Sequence, residues 1–330
     1  MSVGTTAAAT ALTTTVAREY VHKAAHSEVL LTGWRRVDQD RFVVTAQWPR
    51  DHSFYSTVAG RHDPLLVAES VRQAIPLLSH VGYDVPFGHR QIWDRFVYAV
   101  EPAALTVGDT PTDIELHISC TDITRRGRRL AGLTMEVGIV RDGELLGGAE
   151  ASFTNQPPAV YERLRGRYAD LDEARAHALP TPPPMTPQLA GRDRSRDVVL
   201  AAGNRLSHTQ LRADLTHPVL FDHPVDHAPG MLLLEAARQA AHAAAFPRTA
   251  LISGVAAEFF RYAELDAPCW IETQVVPHVW DPEGRLQVKV TARQGEHVVF
   301  SATTTAEIAV EEFMGFAPAH APAMHLRRAS

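Results

Sequence analysis

The chain carries one segment twice, half its own length apart. Pro64-Leu-Leu-Val-Ala-Glu69-Ser-Val-Arg72-Gln73-Ala74 returns as Gly230-Met-Leu-Leu-Leu-Glu235-Ala-Ala-Arg238-Gln239-Ala240, an offset of 166 (235 minus 69) in 330 residues. Further echoes follow in the same order: Phe96-Val-Tyr98-Ala99 with Phe260-Arg-Tyr262-Ala263 at 164, Ile114-Glu115 with Ile271-Glu272 at 157, and Gly143-Glu144 with Gly295-Glu296 at 152. Loops that lose residues while elements persist produce such a drift. The period is too long for a solenoid and predicts two fused copies of one fold, each of ordinary domain size.

Residues 29–34 and 41–48 are rich in β-branched and aromatic side chains and predict a hairpin, ended by Trp48-Pro49. Residues 64–80 are apolar nearly all round, which predicts a buried helix that Pro76 kinks or shortens. From residue 92 to 153 the hydrophobic period falls to two, and Arg141-Asp142-Gly143-Glu144 has hairpin-turn chemistry. A charged helical stretch over 161–177 and a Pro-rich run over 180–187 predict a stiffened linker. The second half restarts with a hairpin at 198–206, a helix over 230–245 and strands over 254–307. One apolar helix wrapped by a curved antiparallel sheet, made twice, is the pattern of an α+β tandem hot-dog fold, whose two units pack as a pseudo-dimer. The expected divisions are a tail (1–16), a first unit (17–156), the linker (157–195), a second unit (196–310) and a tail (311–330).

A formal net charge of −6 argues against general nucleic-acid binding. The local run Arg125-Arg126-Gly127-Arg128-Arg129 reads as a solvated hairpin turn or as a dock for an acidic partner. Cys120 and Cys269 have no CxxC spacing, so neither a disulfide framework nor a zinc site is indicated, and a reducing cytoplasm fits. The N-terminus lacks the basic start and long apolar run of a signal peptide, and nowhere do eighteen apolar residues run together. A soluble, cytoplasmic protein without membrane contact is expected.

Glu69 with Arg72, and Glu235 with Arg238, each share a helix face at i and i+3. Charges on an otherwise apolar helix are costly unless paired or facing a wet cleft, so these pairs are candidate site residues as well as candidate structural ion pairs. Ahead of the second helix, His217, Asp222, His223, Asp226 and His227 crowd toward Gly230, and His52 and Tyr55 occupy the corresponding stretch of the first half. Imidazoles there would face the helix glutamate across a cleft, which suits general-base chemistry on a hydroxyl or water. The spacing of His223, Asp226 and His227 matches no standard zinc pattern, and GxGxxG, GxxxxGK[ST] and GxSxG are absent from the sequence. No metal and no cofactor are expected.

Asp226-His227-Ala228-Pro229-Gly230-Met231 looks like the helix entrance of hot-dog β-hydroxyacyl carrier-protein dehydratases, although no Gly-His-Phe-Pro motif stands upstream. A wider resemblance rests on Arg18-Glu19-Tyr20-Val21-His22-Lys23, Thr32-Gly33-Trp34-Arg35-Arg36, Trp48-Pro49-Arg50 with His52-Ser53-Phe54-Tyr55, and Asp222-His223-Pro224 through His227. These motifs resemble the A-factor biosynthesis (AfsA-like) family. The resemblance implies tandem hot-dog domains and transfer of a β-ketoacyl group from acyl carrier protein to a hydroxyl of dihydroxyacetone phosphate. The ester is then the precursor of γ-butyrolactone, butenolide or furan signals that control antibiotic production. It also implies functional Glu and Arg pairs at Glu69, Arg72, Glu235 and Arg238. In this reading Glu235, alone or with His223 or His227, is the base, and amides near Gly230 hold the oxyanion. Arg72 or Arg238 holds phosphate or orients its Glu, and His52, Tyr55 and Asp226 contribute to substrate binding. The rival readings are a hot-dog thioesterase or dehydratase and a non-catalytic acyl-signal sensor, and either a monomer or a homodimer satisfies the fold.

Overall fold

The computed structural model describes residues 13–203, 205–277 and 284–308. The expected C-terminal tail lies outside them. β1 (Leu31–Arg36) and β2 (Arg41–Trp48) form the first hairpin, followed by α1 (Leu65–Tyr83), β3 (Arg90–Val100), β4 (Thr112–Arg126), β5 (Arg129–Arg141) and β6 (Glu144–Gln156). Short helices α2 (Pro158–Arg165) and α3 (Leu171–Ala176) lead to β7 (His208–Gln210), α4 (Gly230–Ala245), β8 (Ala250–Phe259), β9 (Trp270–Val276), β10 (Leu286–Gln294) and β11 (His297–Ile308). The described strands make one antiparallel sheet in the order β1-β2-β4-β5-β6-β3-β8-β11-β10-β9-β7. None of the described helices is long and apolar enough to cross a membrane.

Alternation sets which face is buried. In β4, Ile114, Leu116 and Ile118 turn inward while Glu115 and His117 are exposed. The inward faces cover α1 and α4, whose side chains are buried nearly all round. Trp48, at the end of β2, is fully buried and donates its indole N–H to Ser70 Oγ of α1 at 3.0 Å.

The halves join where β3 pairs with β8, with Val97 opposite Ala256. Bulges fall at corresponding places: Asp94 of β3 and Ser253 of β8 are skipped in their ladders, as are Leu146 of β6 and Val299 of β11. The offset across β3 and β8 is therefore 159 (253 minus 94), which carries Val97 onto Ala256, its own partner. The pseudo-twofold axis passes through that pair. Phe96 then corresponds to Val255 (96 plus 159), so the Phe260-Arg-Tyr262-Ala263 echo is not the structural match and lies beyond the end of β8.

Three local expectations change. α1 continues through Pro76 to Tyr83, because packing on almost every side outweighs the lost hydrogen bond, and it ends where Asp84 turns left-handed at φ 56°. The charged stretch after residue 160 is two helices, broken at Gly166 (φ 56°, ψ −128°), and Asp170 recaps the second by accepting from the N–H groups of Asp172 and Glu173. Of the hairpin expected at 198–206, Asn204 lies outside the described residues and the others make only isolated bridges, because the prolines at 182–184 run alongside Ala201 and lack N–H groups for a regular ladder.

A Cβ on Gly147 would run into the carbonyl oxygen of Ala99 across the β6–β3 ladder. We expect Gly147→Ala to cost about 1–3 kcal/mol by forcing these strands apart. An unchanged urea-unfolding midpoint would contradict this tight packing.

Candidate active site

Each long helix buries an ionised glutamate in the same cage. Glu69 accepts from Arg72 (Nε and Nη2, 2.9–3.1 Å), from Gln73 Nε2 at 2.8 Å and from Lys23 Nζ at 3.0 Å. Glu235 accepts from Arg238 Nε at 2.8 Å and Nη2 at 2.9 Å, from Gln239 Nε2 at 2.5 Å, and from Arg192 Nε at 2.9 Å and Nη2 at 2.7 Å. Gln73 and Gln239 each bind backbone groups on both sides of a β-like segment, at Glu28 and Leu30 and at Asp197 and Val199. His52 with Glu28 matches His217 with Asp197, and each imidazole Nδ1 accepts two backbone N–H groups. Burial alone would raise both glutamates; Arg72 and Lys23 outweigh it at Glu69, and Arg192 and Arg238 at Glu235, holding each carboxyl at about 2.

The copies diverge at two points. Arg192, the counterpart of Lys23, stacks 4.3 Å over Phe54, donates to the Phe54 carbonyl and lies 3.6 Å from Asp63. This shuts Glu235 in completely, at 0% exposure. The helix starts differ as well. At α1, Pro64 has no N–H and the Leu65 N–H donates to the Asp63 carboxylate at 2.9 Å. At α4, the Gly230 and Met231 N–H groups have no acceptor among the described residues.

Beside that open helix start is a cavity of about 350 Å³. Its lining includes the polar side chains of Glu69, Arg72, Lys23, His22, Asp222 and His223, the apolar ones of Ile92, Trp93, Met231, Leu233 and Phe259, and Arg90, Arg261, Asp226, His227 and Tyr262. Asp226 receives the Tyr161 hydroxyl at 2.6 Å, Arg165 Nε at 3.3 Å and His227 Nδ1 at 2.7 Å. Burial opposes its charge, but these donors hold Asp226 well below the ordinary carboxylate range. With Nδ1 donating to a carboxylate, His227 keeps its lone pair on Nε2.

His22 is fixed by a second chain. His80 Nδ1 lies 2.6 Å from the Val85 carbonyl and must donate, so its Nε2 accepts from His22 Nε2 at 2.9 Å and leaves the His22 Nδ1 lone pair free. Burial, with His80 and Arg72 adding to it, depresses His22 to about 3, so this imidazole is neutral at pH 7. Its left-handed backbone (φ 51°) matches Gly191 (φ 61°) in the second half.

Of the residues expected from sequence, Glu69, Arg72, His223, Asp226, His227 and Gly230 line the cavity, whereas Glu235, Arg238, His52 and Tyr55 do not. Tyr55 sits behind Glu69, 3.5 Å from Oε2, and His52 faces Glu28. Lys23, His22, Arg90, Tyr161 and Arg192 were not singled out as site residues, although the Arg18–Lys23 motif held two of them. Arg192 had no sequence signal, since it stands in the presumed linker.

Several buried groups predict acid lability. His22 (about 3), His62 (about 4) and His242 (about 4) are depressed mainly by burial, so the unfolded chain binds more protons as pH falls below about 6.5. Glu69 and Glu235 add to this below about 4.5, since their folded carboxyls stay ionised to about 2. Stability should fall steadily from pH 6.5 downward; a melting temperature flat between pH 7 and 4.5 would contradict these assignments.

The A-factor biosynthesis hotdog domain (AfsA) model matches residues 4–156 and 174–309. A Streptomyces virginiae protein named 2-oxo-3-(phosphooxy)propyl 3-oxoalkanoate synthase is 48% identical over 291 residues, covering 88% of this chain and 97% of the relative. A Streptomyces coelicolor protein of the same name is 38% identical, over 86% of this chain and 88% of the relative. Among solved structures, a Lactobacillus plantarum protein described as an oleoyl thioesterase superposes with a TM-score of 0.53 at 9% identity, covering 82% of this chain and 97% of that one, which shows the hot-dog fold alone. The chain belongs to the AfsA family of A-factor biosynthesis hotdog proteins.

Proposed function

We propose that the chain is an acyltransferase that joins a 3-oxoacyl group, delivered as a carrier-protein thioester, to the hydroxyl of dihydroxyacetone phosphate. The product is a 2-oxo-3-(phosphooxy)propyl 3-oxoalkanoate, the ester named in its relatives. That ester is the precursor of lactone, butenolide or furan signals. The observation that carries the reading is the pairing of an Asp226-held His227 with two unsatisfied amides at the start of α4, in one cavity that also holds cations.

In this reading the thioester carbonyl oxygen rests on the Gly230 and Met231 N–H groups, where the helix start favours developing negative charge. His227 Nε2 takes the proton from the hydroxyl as its oxygen attacks the carbonyl carbon. The tetrahedral oxyanion collapses, the C–S bond breaks, and the imidazolium returns the proton to the leaving thiolate, giving ester and free carrier thiol. Asp226, anchored by Tyr161 and Arg165, orients His227 and stabilises its cation. His22 is the poorer base, because a site at about 3 holds a proton too weakly at pH 7. Arg72 and Lys23, fixed by Glu69, form the phosphate seat with Arg90, which has no carboxylate partner among the described residues. The acyl chain takes the wall of Ile92, Trp93, Met231, Leu233 and Phe259.

Glu235 then has a structural role. Glu235→Gln leaves Arg238 buried without its paired carboxylate and Arg192 with Asp63 alone, 3.6 Å away, and should cost about 3–5 kcal/mol of stability. Unfolding in denaturant measures it; an unchanged midpoint would mean the cage is solvated and open. His227→Ala should fold normally and lose about 10²–10⁴ in kcat. The assay supplies a 3-oxoacyl thioester with and without dihydroxyacetone phosphate and follows products by mass spectrometry. A phosphorylated ester formed only with the phosphate supports the transferase, while free acid in its place, or undiminished turnover by His227→Ala, contradicts this reading.

A further inference from the structure

The β4–β5 turn places Arg125, Arg126, Arg128 and Arg129 within five residues, all exposed, in a chain of net charge −6. None of the four has a carboxylate partner among the described residues: Arg125 lies 5.8 Å from the Tyr83 ring and reaches the Arg128 carbonyl. Four unneutralised like charges repel one another and cost folding free energy, so a bare solvated turn gains nothing from them.

The turn opens onto a groove of about 330 Å³ lined by Arg125, Arg128, Arg129, Tyr83, Val85, Pro86 and His89, with Asp84 its one carboxylate. His89 is 7% exposed, and its Nδ1 is buried without a hydrogen-bond partner. The same 84–90 segment ends at the cavity of the proposed active site. Arg90 lines that cavity, and the Val85 carbonyl anchors His80, which holds His22 in the cavity wall. On this segment Phe87 is 58% exposed, against His80 (4.4 Å) and Tyr20 (5.4 Å). An exposed aromatic side chain on the segment that borders an arginine-lined groove is the composition of a protein-binding surface.

We propose that the β4–β5 turn and the adjoining groove dock an acidic acyl carrier protein, with the 84–90 segment guiding its thioester arm past Arg90 into the cavity. The inference rests on a carrier-bound thioester as the acyl donor. Positive charge at the turn and groove meets the carrier's acidic surface and steers it, while the reacting groups lie in the separate cavity that Arg90 lines. Arg126 and Arg128 take no part in catalysis, which lets docking be separated from chemistry.

The test uses the full chain and Arg126→Glu/Arg128→Glu, with 3-oxoacyl acyl carrier protein and a short 3-oxoacyl thioester as alternative donors. Titration calorimetry of the carrier and turnover with each donor are measured at low and high salt. The proposal expects carrier affinity, and kcat/KM with the carrier thioester, to fall about tenfold or more at low salt, as loss of charge steering does. Turnover of the short thioester and the melting temperature should stay as in the wild type. Unchanged carrier affinity, or equal losses with both donors, overturns the docking surface. Absence of ester from both donors in the wild type overturns the transferase reading instead, and the titration still decides the dock.

Discussion

The antiparallel pairing of β3 with β8 is the constraint on which the rest depends. It fuses two half-sheets across an axis at Val97 and Ala256, and so brings the starts and middles of α1 and α4 to one interface. A single half could bury its helix against its own strands, but it could not bring a helix glutamate of one copy to the helix start of the other. The cavity exists because Glu69 and Arg72 come from α1 while Gly230 and Met231 come from α4.

Twofold pairing creates two such junctions, and the chain has kept one open. Both retain the buried Glu-Arg-Gln cage, because removing either charge would strand the other in a low-dielectric interior. They part where a single cation differs. Lys23 leaves room beside Glu69, while the broader guanidinium of Arg192 bridges Glu235, Phe54 and Asp63 and fills the second junction. Asp63 also consumes an amide at the start of α1 that has a free counterpart at α4. The second junction is thereby filled and braced, while the first stays open to the cavity.

The doubled Glu-x-x-Arg-Gln helix and the period-two strands made the tandem fold legible, since both are periodic signals that survive duplication. The match of Phe96 to Phe260 misled because bulges at Asp94 and Ser253 fix the true register, and bulges leave little trace in sequence. Glu69, Arg72, His223, Asp226, His227 and Gly230 could be read as one site because they flank the helices. The expected role of Glu235 as base rests on the family resemblance and on histidines that would face the helix glutamate across a cleft. What shuts it in, Arg192, arrives from 43 residues away in chain order, through a segment whose composition reads only as linker. Contacts of that kind follow from the packed fold and have no local pattern.

The most direct test of a single live junction is the stoichiometry of a non-hydrolysable 3-oxoacyl thioester analogue bound with dihydroxyacetone phosphate, by titration calorimetry and crystallography. One analogue per chain, with its carbonyl at Gly230 and nothing beside Glu235, is the predicted result. Two per chain, or one seated at Glu235 and the start of α1, would contradict the account.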